Sequence, residues 1–328
     1  MALLLAIAAF LLGGCATAFD LQGHRGARGL APENTLPAFA KALEIGVTTL
    51  ELDTGVTRDG VVVISHEVRL NPDFARGPGG EWLPERGPAI HDLMFAELER
   101  YDVGRLKPGT AYARGLPEQV AVDGTRIPRL ADLFALVRAS GDRSVRFNIE
   151  TKLSPLAPGE SLEPAPFARK VIEEIRAGGM QRRSTLQSFD WRTLRMAQEE
   201  AREIPTVYLT AQQKFLDNVC TGPGAGSPDV KPAECGASAW TAGFQLRDYG
   251  SVPRMVKAAG GAVWSPFYRD VDAARIAEAH SLGLEVVVWT VNDPAQIERM
   301  IDLGVDGLIS DRPDLAKKIG CRRRILGC

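Results

Sequence analysis

Two histidines and two acidic residues stand at or near the ends of strand-like apolar runs in the first part of the chain. His24 and His66 close two such runs, and Glu51 and Asp53 lie in a run between them. An imidazole accepts or donates a proton near neutral pH, and carboxylate oxygens are preferred ligands of hard divalent cations. Because the chain has 4 histidines in all, two of them beside carboxylates favour acid–base and metal chemistry over structural roles.

The elements that must position these residues follow an alternating pattern. Short β-branched runs alternate with amphipathic segments, which is typical of βα units around a parallel sheet. Eight such units predict an α/β fold, a TIM (β/α)8 barrel, in which the carboxyl ends of the strands face the active site. The predicted strands are Phe19–His24, Thr48–Asp53, Val145–Glu150, Thr185–Ser188, Thr206–Leu209, Ala262–Ser265, Glu285–Thr290 and Gly307–Ser310, and the predicted helices include Leu36–Ile45, Leu130–Ala139, Phe167–Ala177 and Ala273–Leu282.

One further apolar run predicts a hairpin. Val61–Ser65 follows Asp59 and Gly60, a dipeptide typical of tight turns between antiparallel strands. We therefore expect this run to fold back beside the second strand and to bring His66 close to the acidic pair. The other polar residues at or just beyond predicted strand ends are Glu150, Lys152, Gln187, Ser188, Trp289, Asn292, Ser310 and Asp311.

Length and composition indicate one large domain. The chain has 328 residues, 45% of them hydrophobic, and a formal net charge of -2, so it can bury a sizeable core and gives no support for nucleic-acid binding. The barrel is expected over residues 19–316, with a tail at 317–328. Residues 71–127 predict a subdomain inserted after the hairpin and over the catalytic face, and residues 211–242 predict a disulfide-stapled loop near the same mouth.

The amino terminus is typical of a secretory signal. Residues 1–18 contain an apolar core too short to span a bilayer and end in a small-x-small cleavage pattern. Residues 12–15 also resemble a bacterial lipobox, in which Cys15 would carry a lipid anchor. We expect an exported, periplasmic protein that is either soluble or anchored through Cys15. An oxidising compartment then predicts two disulfides, Cys220–Cys235 and Cys321–Cys328.

Nine short motifs, in order along nearly the whole mature chain, together resemble those of the glycerophosphodiester phosphodiesterase family. Each motif is weakly specific alone, and their ordered conjunction is specific. One departure is visible, since the family usually has Asp after the second histidine and this chain has Glu67. The motifs are His24-Arg25-Gly26, Pro32-Glu33-Asn34-Thr35, Glu51-Leu52-Asp53, Thr57-Arg58-Asp59-Gly60, Ser65-His66, Asn148-Ile149-Glu150-Thr151-Lys152, Ser188-Phe189, Trp289-Thr290-Val291-Asn292 and Gly307-Leu308-Ile309-Ser310-Asp311.

The resemblance implies a TIM-barrel enzyme that hydrolyses small glycerophosphodiesters to glycerol 3-phosphate and an alcohol. It implies that His24 and His66 form the acid/base pair. It also implies that Glu51, Asp53 and Glu150 bind a divalent cation, with calcium expected first and magnesium as the alternative. The sequence contains no clear signal of an interface between subunits, so the oligomeric state stays open.

The chemistry of a phosphodiester explains why these residue types are needed. The substrate is anionic and its leaving group is poor, so hydrolysis requires charge neutralisation, an activated nucleophile and a proton for the departing oxygen. Arg25 and Lys152 are the expected phosphate ligands, with structural ion pairing to the carboxylates as the alternative. We expect His24 to act as the base and His66 as the acid. The nucleophile is either water or the neighbouring glycerol hydroxyl.

The roles of four more residues are less specifically indicated by the sequence. Trp289 either packs against the glycerol carbons or belongs to the barrel packing. Glu33 and Asn34 either contact substrate hydroxyls or brace the first loop, and Asn34 is alternatively a candidate N-cap of the helix that follows. Asp311 is expected to position an arginine or backbone groups.

Two other functions fit the same sequence. A phospholipase D or sphingomyelinase D-like enzyme on intact lipids resembles this pattern in its barrel, histidine pair and carboxylate site. Such an enzyme needs an apolar rim, whereas the first insertion carries mixed charges, which favours a soluble diester. The third possibility is a non-catalytic exported binding protein, and the intact histidines and carboxylates argue against it. The charged residues of the insertion are Asp73, Arg76, Glu81, Glu85 and Arg86.

Overall fold

Eight parallel strands close into a barrel in the computed structural model, which describes residues 18–328. The strands in chain order are β1 (Asp20–Gly23), β2 (Thr49–Val56), β3 (Val62–Ile64), β4 (Arg146–Thr151), β5 (Ser184–Ser188), β6 (Thr206–Thr210), β7 (Gln212–Gln213), β8 (Leu216–Asp217), β9 (Val263–Pro266), β10 (Glu285–Val288) and β11 (Gly307–Ser310). Around the barrel the paired order is β1, β2, β4, β5, β6, β9, β10 and β11, and β11 pairs with β1 to close it. The predicted TIM barrel is confirmed, with every predicted strand present within a few residues of its expected bounds.

Helices form the outer layer and alternate with the barrel strands, except for two short helices in the insertion between residues 71 and 127. They are α1 (Leu36–Ile45), α2 (Phe95–Leu98), α3 (Ala111–Gly115), α4 (Leu130–Ser140), α5 (Pro164–Ala177), α6 (Trp191–Glu200), α7 (Leu246–Tyr249), α8 (Val252–Ala258), α9 (Ala273–Ser281), α10 (Pro294–Leu303) and α11 (Pro313–Arg322). The hydroxyl of Thr35, and not the Asn34 amide, caps α1, because Asn34 has a left-handed φ of 55° and its side chain points into the barrel mouth towards Asp53. The expectation that Asn34 is the N-cap was therefore wrong.

Apolar packing fills the barrel and the layer around it. Inside the barrel, valine and isoleucine side chains from four neighbouring strands pack together, and the large core between strands and helices includes the fully buried Phe39, Leu50 and Phe147. Burial of one such side chain contributes roughly 1.5–3 kcal/mol to folding. The barrel interior residues are Val207, Val263, Val287 and Ile309. A rigid frame therefore holds the polar side chains at the carboxyl ends of the strands.

The predicted hairpin is confirmed. β3 pairs antiparallel with the end of β2, with Thr54 opposite Ile64 and Val56 opposite Val62. The chain then leaves the barrel for the insertion, which has a small apolar core of its own. That core contains Val63, Leu70, Ala75, Ile90, Leu98, Val103 and Ile127, with Phe74, Leu83 and Tyr101 packed against it.

Of the two predicted disulfides, one is confirmed and one is wrong. Cys220 and Cys235 form a disulfide in the loop after β6. Cys321 and Cys328 are free thiols. The chain turns back after α11, so that the Cys321 thiol donates to the Gly327 carbonyl and lies at hydrogen-bonding distance from Cys328 rather than bonded to it. Cys15 lies outside the described residues. Between residues 18 and 328, none of the helices has the length and apolar composition needed to cross a membrane.

Gly26 provides a test of how tightly the first loop is constrained. Its φ is 87°, and a Cβ there would lie 2.6 Å from the backbone carbon of Ala38. Gly141 has a similar φ of 76° with open space around it. Left-handed backbone costs an alanine about 1–2 kcal/mol at both positions, and overpacking adds roughly 1–3 kcal/mol at Gly26 alone. Chemical denaturation should therefore show a larger loss of unfolding free energy for Gly26→Ala than for Gly141→Ala, and equal losses would contradict this account.

Candidate active site

His24 follows β1 and is oriented by the end of the last barrel strand. Its backbone N–H donates to the Ser310 carbonyl at 2.9 Å, and its Nδ1 lies 2.5 Å from Oδ1 of Asp311. Asn292 holds Asp311 through two hydrogen bonds of 2.8 Å. Burial lowers the pKa of His24, and the Asp311 carboxylate partly restores it. Since a carboxylate only accepts, Nδ1 carries the proton and Nε2 is the free nitrogen of His24.

Three buried carboxylates converge at the ends of β2 and β4. Glu51 and Asp53 project from β2, and Glu150 stands beside Asp53 in the parallel register of β4. One oxygen of each lies within 4.8 Å of the others. Burial and the neighbouring carboxylates raise the pKa of Glu51 well above its usual range and that of Glu150 to about 7.

The donor chemistry of this cluster suits a divalent metal ion. Its ligands are carboxylate oxygens, which hard cations prefer, and their mutual repulsion is relieved by positive charge. The protein supplies part of that charge itself. Although burial raises the pKa of Asp53, charge from Arg25 and Lys152 brings it below its usual range. The cluster of Glu51, Asp53 and Glu150 can therefore hold a divalent cation between these cationic side chains.

Three cationic side chains border the carboxylates. Arg25 Nη1 donates to Glu33 at 2.8 Å, and its Nε lies 3.2 Å from Asp53. Lys152 Nζ donates to Glu150 at 2.8 Å and lies 5.6 Å from the centre of the Phe189 ring. The third cation, Arg28, lies 2.8 Å from a Glu33 oxygen. The sequence did not single out Arg28, although it lies only three positions after Arg25.

His66 reaches the same cavity from beyond β3. Its Nδ1 lies 3.0 Å from the carboxylate of Glu67, so the glutamate that departs from the family pattern contacts the imidazole directly. Burial, together with the charges of Arg25 and Lys152, lowers the pKa of His66 to about 4. The imidazole is therefore neutral near pH 7.

A cavity of about 240 Å³ brings these groups together. Glu33 does not line it, because its oxygens are held behind the arginines, which gives Glu33 a bracing position. Trp289 lines the cavity and also donates from Nε1 to the Ser265 carbonyl at 3.0 Å. The lining residues are His24, Arg25, Arg28, Glu51, Asp53, His66, Glu150, Lys152, Gln187, Phe189, Leu209, Trp289, Thr290 and Ile309.

Sequence reasoning missed the partners that fix the predicted residues. Asp311 contacts the His24 imidazole, a partner the sequence did not indicate, and it also lies 3.7 Å from Nη1 of Arg28, in line with the expected arginine contact. Gln187 donates to Glu51 at 2.6 Å, and Asn34 donates to Asp53 at 2.9 Å. Gln187 lies at a predicted strand end and Asn34 lies in one of the family motifs, so the sequence indicated their positions but not their contacts. Tyr112 lies in the insertion and had no signal in the sequence.

A larger cavity of about 320 Å³ lies at the opposite end of the barrel. Its lining includes Asp20, Arg146, Ser184 and Glu285, which are the first residues of β1, β4, β5 and β10. Barrel enzymes use the carboxyl ends of their strands. Size alone therefore does not identify the site, and the smaller cavity with both histidines is the candidate.

These features define a barrel enzyme whose cavity suits an anionic phosphate ester. The chain belongs to the glycerophosphoryl diester phosphodiesterase family, whose family model matches residues 24–315. The sequence-based resemblance is confirmed.

Individual relatives extend over most of the chain. A glycerophosphodiester phosphodiesterase of Caldanaerobacter subterraneus subsp. tengcongensis is 27% identical and covers 89% of this chain and 93% of its own. A crystal structure assigned as a glycerophosphoryl diester phosphodiesterase from Silicibacter pomeroyi is 33% identical with a TM-score of 0.80, covering 94% of this chain and 95% of its own. A phosphodiesterase of Oleispira antarctica, in complex with the product sn-glycerol-3-phosphate, is 19% identical with a TM-score of 0.64 and covers 92% and 96%. At 19% identity, this last comparison shows only that the two proteins share a fold.

The raised carboxylate pKa values predict how stability depends on pH and metal. A carboxyl whose folded-state pKa is raised stabilises the protein at low pH, and the stability is lost as the pH rises through that pKa, about 7 for Glu150. A divalent cation replaces the lost protons. The difference in Tm between calcium-loaded and EDTA-treated protein should therefore widen from about pH 5 to about pH 8. In the double variant Glu51→Gln/Glu150→Gln the difference should become small, and a pH-independent difference in the wild type would refute the role of these carboxylates.

Proposed function

We propose that the protein is a glycerophosphodiester phosphodiesterase that hydrolyses small diesters to glycerol 3-phosphate and an alcohol. One observation carries the proposal: two histidines, three cationic side chains and a three-carboxylate cluster line a single cavity at the carboxyl ends of the barrel strands. Family membership supports the same reaction, and the Oleispira antarctica phosphodiesterase, solved with sn-glycerol-3-phosphate, shares the fold.

The phosphate is bound by the cationic side of the cavity. Arg25, Arg28 and Lys152 border it, and each is already oriented by a carboxylate of the protein. Arg25 and Arg28 present planar forks of N–H donors, and Lys152 a compact positive charge. Trp289 and Phe189, whose ring centres are 5.3 Å apart, line the cavity and offer apolar faces for the carbon atoms of the substrate.

A calcium ion is the proposed occupant of the carboxylate cluster. Glu51, Asp53 and Glu150 would hold it, and oxygen-only ligation suits calcium, with magnesium as the alternative. When bound, the ion neutralises charge on a phosphate oxygen. The protein contributes a preformed site in which Arg25 N–H and Gln187 each hold one oxygen of Glu51.

The surroundings of the two histidines suggest which one accepts a proton from the nucleophile and which one donates a proton to the leaving oxygen. His66 is kept neutral by burial, Arg25 and Lys152, as a proton acceptor must be. Burial lowers the pKa of His24, and contact with the Asp311 carboxylate offsets part of that lowering. Asp311 would therefore stabilise the imidazolium that forms when Nε2 takes up a proton, and His24 would then give that proton to the leaving oxygen. We therefore assign His66 as the base that activates the nucleophile and His24 as the acid that protonates the leaving oxygen, the reverse of the order expected from the sequence. The nucleophile is water or the adjacent glycerol hydroxyl.

Export to the periplasm completes the proposal. The Cys220–Cys235 disulfide supports an oxidising compartment. Either residues 1–18 would act as a cleaved signal, or a lipid on Cys15 would attach the protein to the membrane. Labelling of the expressed chain with radioactive palmitate distinguishes the two fates, because only a lipidated Cys15 incorporates the label and a Cys15→Ala variant then loses it.

The principal test is release of sn-glycerol 3-phosphate from glycerophosphocholine by purified residues 19–328. We expect release with calcium, none with EDTA, and a loss of about 10²–10⁴-fold in His24→Ala and His66→Ala, the usual contribution of acid–base catalysis. His280→Ala is the matched control, because His280 is exposed and pairs with Asp306 away from the cavity, and it should keep the wild-type rate.

Two outcomes of that assay would refute the proposal. Cleavage of sphingomyelin or lysophosphatidylcholine without cleavage of glycerophosphocholine would identify a phospholipase D-like enzyme. A folded protein that cleaves none of these diesters, whichever divalent metal ion is added, would be assigned as a binding protein. Both alternatives use the same purified material, so a single set of substrates separates the three functions.

The assignment of acid and base predicts a dependence on the leaving group. A 4-nitrophenol leaving group departs without protonation, so loss of the acid matters less for its ester than for glycerophosphocholine. The loss caused by His24→Ala should be at least about tenfold smaller on glycerophospho-4-nitrophenol, whereas His66→Ala should lose similar factors on both substrates. The opposite pattern would restore the sequence-based order.

A further inference from the structure

Tyr112 joins the insertion to the first barrel loop. It lies in α3, outside the barrel, yet its hydroxyl donates to Glu33 and lies 3.5 Å from Nη1 of Arg25. The guanidinium centre of Arg28 lies 5.1 Å from the centre of the Tyr112 ring. One side chain therefore contacts both arginines of the cavity and the carboxylate that braces them.

The carboxylate of Glu33 is the common partner of these groups. Arg25 Nη1 donates to Oε1 at 2.8 Å, and Arg28 Nε lies 2.8 Å from Oε2, the oxygen that also accepts from Tyr112. Although burial raises the pKa of Glu33, the two arginines bring it down to about 2. Glu33 is ionised at neutral pH and accepts a donor at both oxygens.

The segment around Tyr112 is fixed at both ends. On one side its ring packs against Phe74 of the insertion core, with ring centres 5.6 Å apart. On the other side the backbone N–H of Val120 donates to the Leu30 carbonyl at 3.0 Å, and Gln119 donates to the Arg28 carbonyl at 2.8 Å. The insertion thus holds both the backbone and the side chains of the loop that carries the arginines.

We propose that Tyr112 is a positioning residue for phosphate binding, holding Glu33 and through it the guanidinium planes of Arg25 and Arg28. The inference rests on the proposed function for the identity of the ligand. Long arginine side chains lose considerable rotational freedom when they bind an anion, so prior orientation of the guanidinium groups increases affinity. The insertion, through this residue, becomes part of the substrate site.

The test compares two tyrosine-to-phenylalanine variants of the same insertion. Tyr112→Phe keeps the ring and removes the hydrogen bond to Glu33. Tyr101→Phe makes the same chemical change in the insertion core, away from the arginines. Calorimetric binding of inorganic phosphate and of sn-glycerol 3-phosphate, with kcat and KM on glycerophosphocholine, gives the comparison.

We expect Tyr112→Phe to raise Kd and KM by about tenfold and to change kcat by less than about twofold, the pattern of lost binding common to ground and transition states. Tyr101→Phe should leave all four constants unchanged. Wild-type affinity in Tyr112→Phe would overturn the proposal, as would a failure of the wild-type protein to bind either phosphate probe.

A double-variant cycle separates positioning from a general effect on folding. If Tyr112 acts through Glu33, then Tyr112→Phe should have almost no further effect in a Glu33→Gln background, whereas independent structural effects would add. Additive losses overturn the proposal. Phosphate binding by a wild-type protein that releases no glycerol 3-phosphate would refute the proposed function and leave the Tyr112 comparison decisive for phosphate binding.

Discussion

The convergence of three buried carboxylates is the constraint on which the rest of the site depends. An ionised carboxylate without a partner is costly to bury, and three together repel one another. The protein offsets this with donors and positive charges at each acid. Glu51 accepts from the Arg25 N–H and from Gln187, Asp53 from Asn34, and Glu150 from Lys152. The remaining repulsion suits the cluster to a divalent cation.

The cations that pair with the acids of the protein can also bind an incoming anion. Arg25 contacts Asp53 on one side and Glu33 on the other, so its position is set by two carboxylates before any substrate arrives. A guanidinium has five N–H donors, which leaves donors for a phosphate after both contacts are made. Structural ion pairing and phosphate binding, which the sequence presented as alternatives, are therefore compatible at this residue.

The parts of the site that lie on barrel strands could be predicted from the sequence. Parallel strands in register place Glu51, Asp53 and Glu150 at one edge, and the Asp-Gly turn explains how His66 returns to them. Irregular segments gave no comparable information. Tyr112 contacts Glu33 across 79 positions of the chain, and no local pattern encodes such a contact. Cys321 and Cys328 illustrate the same difficulty. They are close in sequence, which suggested a disulfide, but the chain conformation after α11 leaves both thiols free.

The two histidines differ because the fold brings them in by different routes. His24 leaves β1 next to β11, so the seam that closes the barrel also supplies its carboxylate partner, Asp311. His66 follows the antiparallel strand β3, outside the barrel, and enters a position where burial, and after it the charges of Arg25 and Lys152, lower its pKa. Barrel closure therefore gives His24 a carboxylate that offsets part of the pKa lowering caused by burial, whereas the His66 imidazole that the hairpin delivers is neutral. The proposed acid and base are the same residue type and need such unequal surroundings, which the topology of this chain provides.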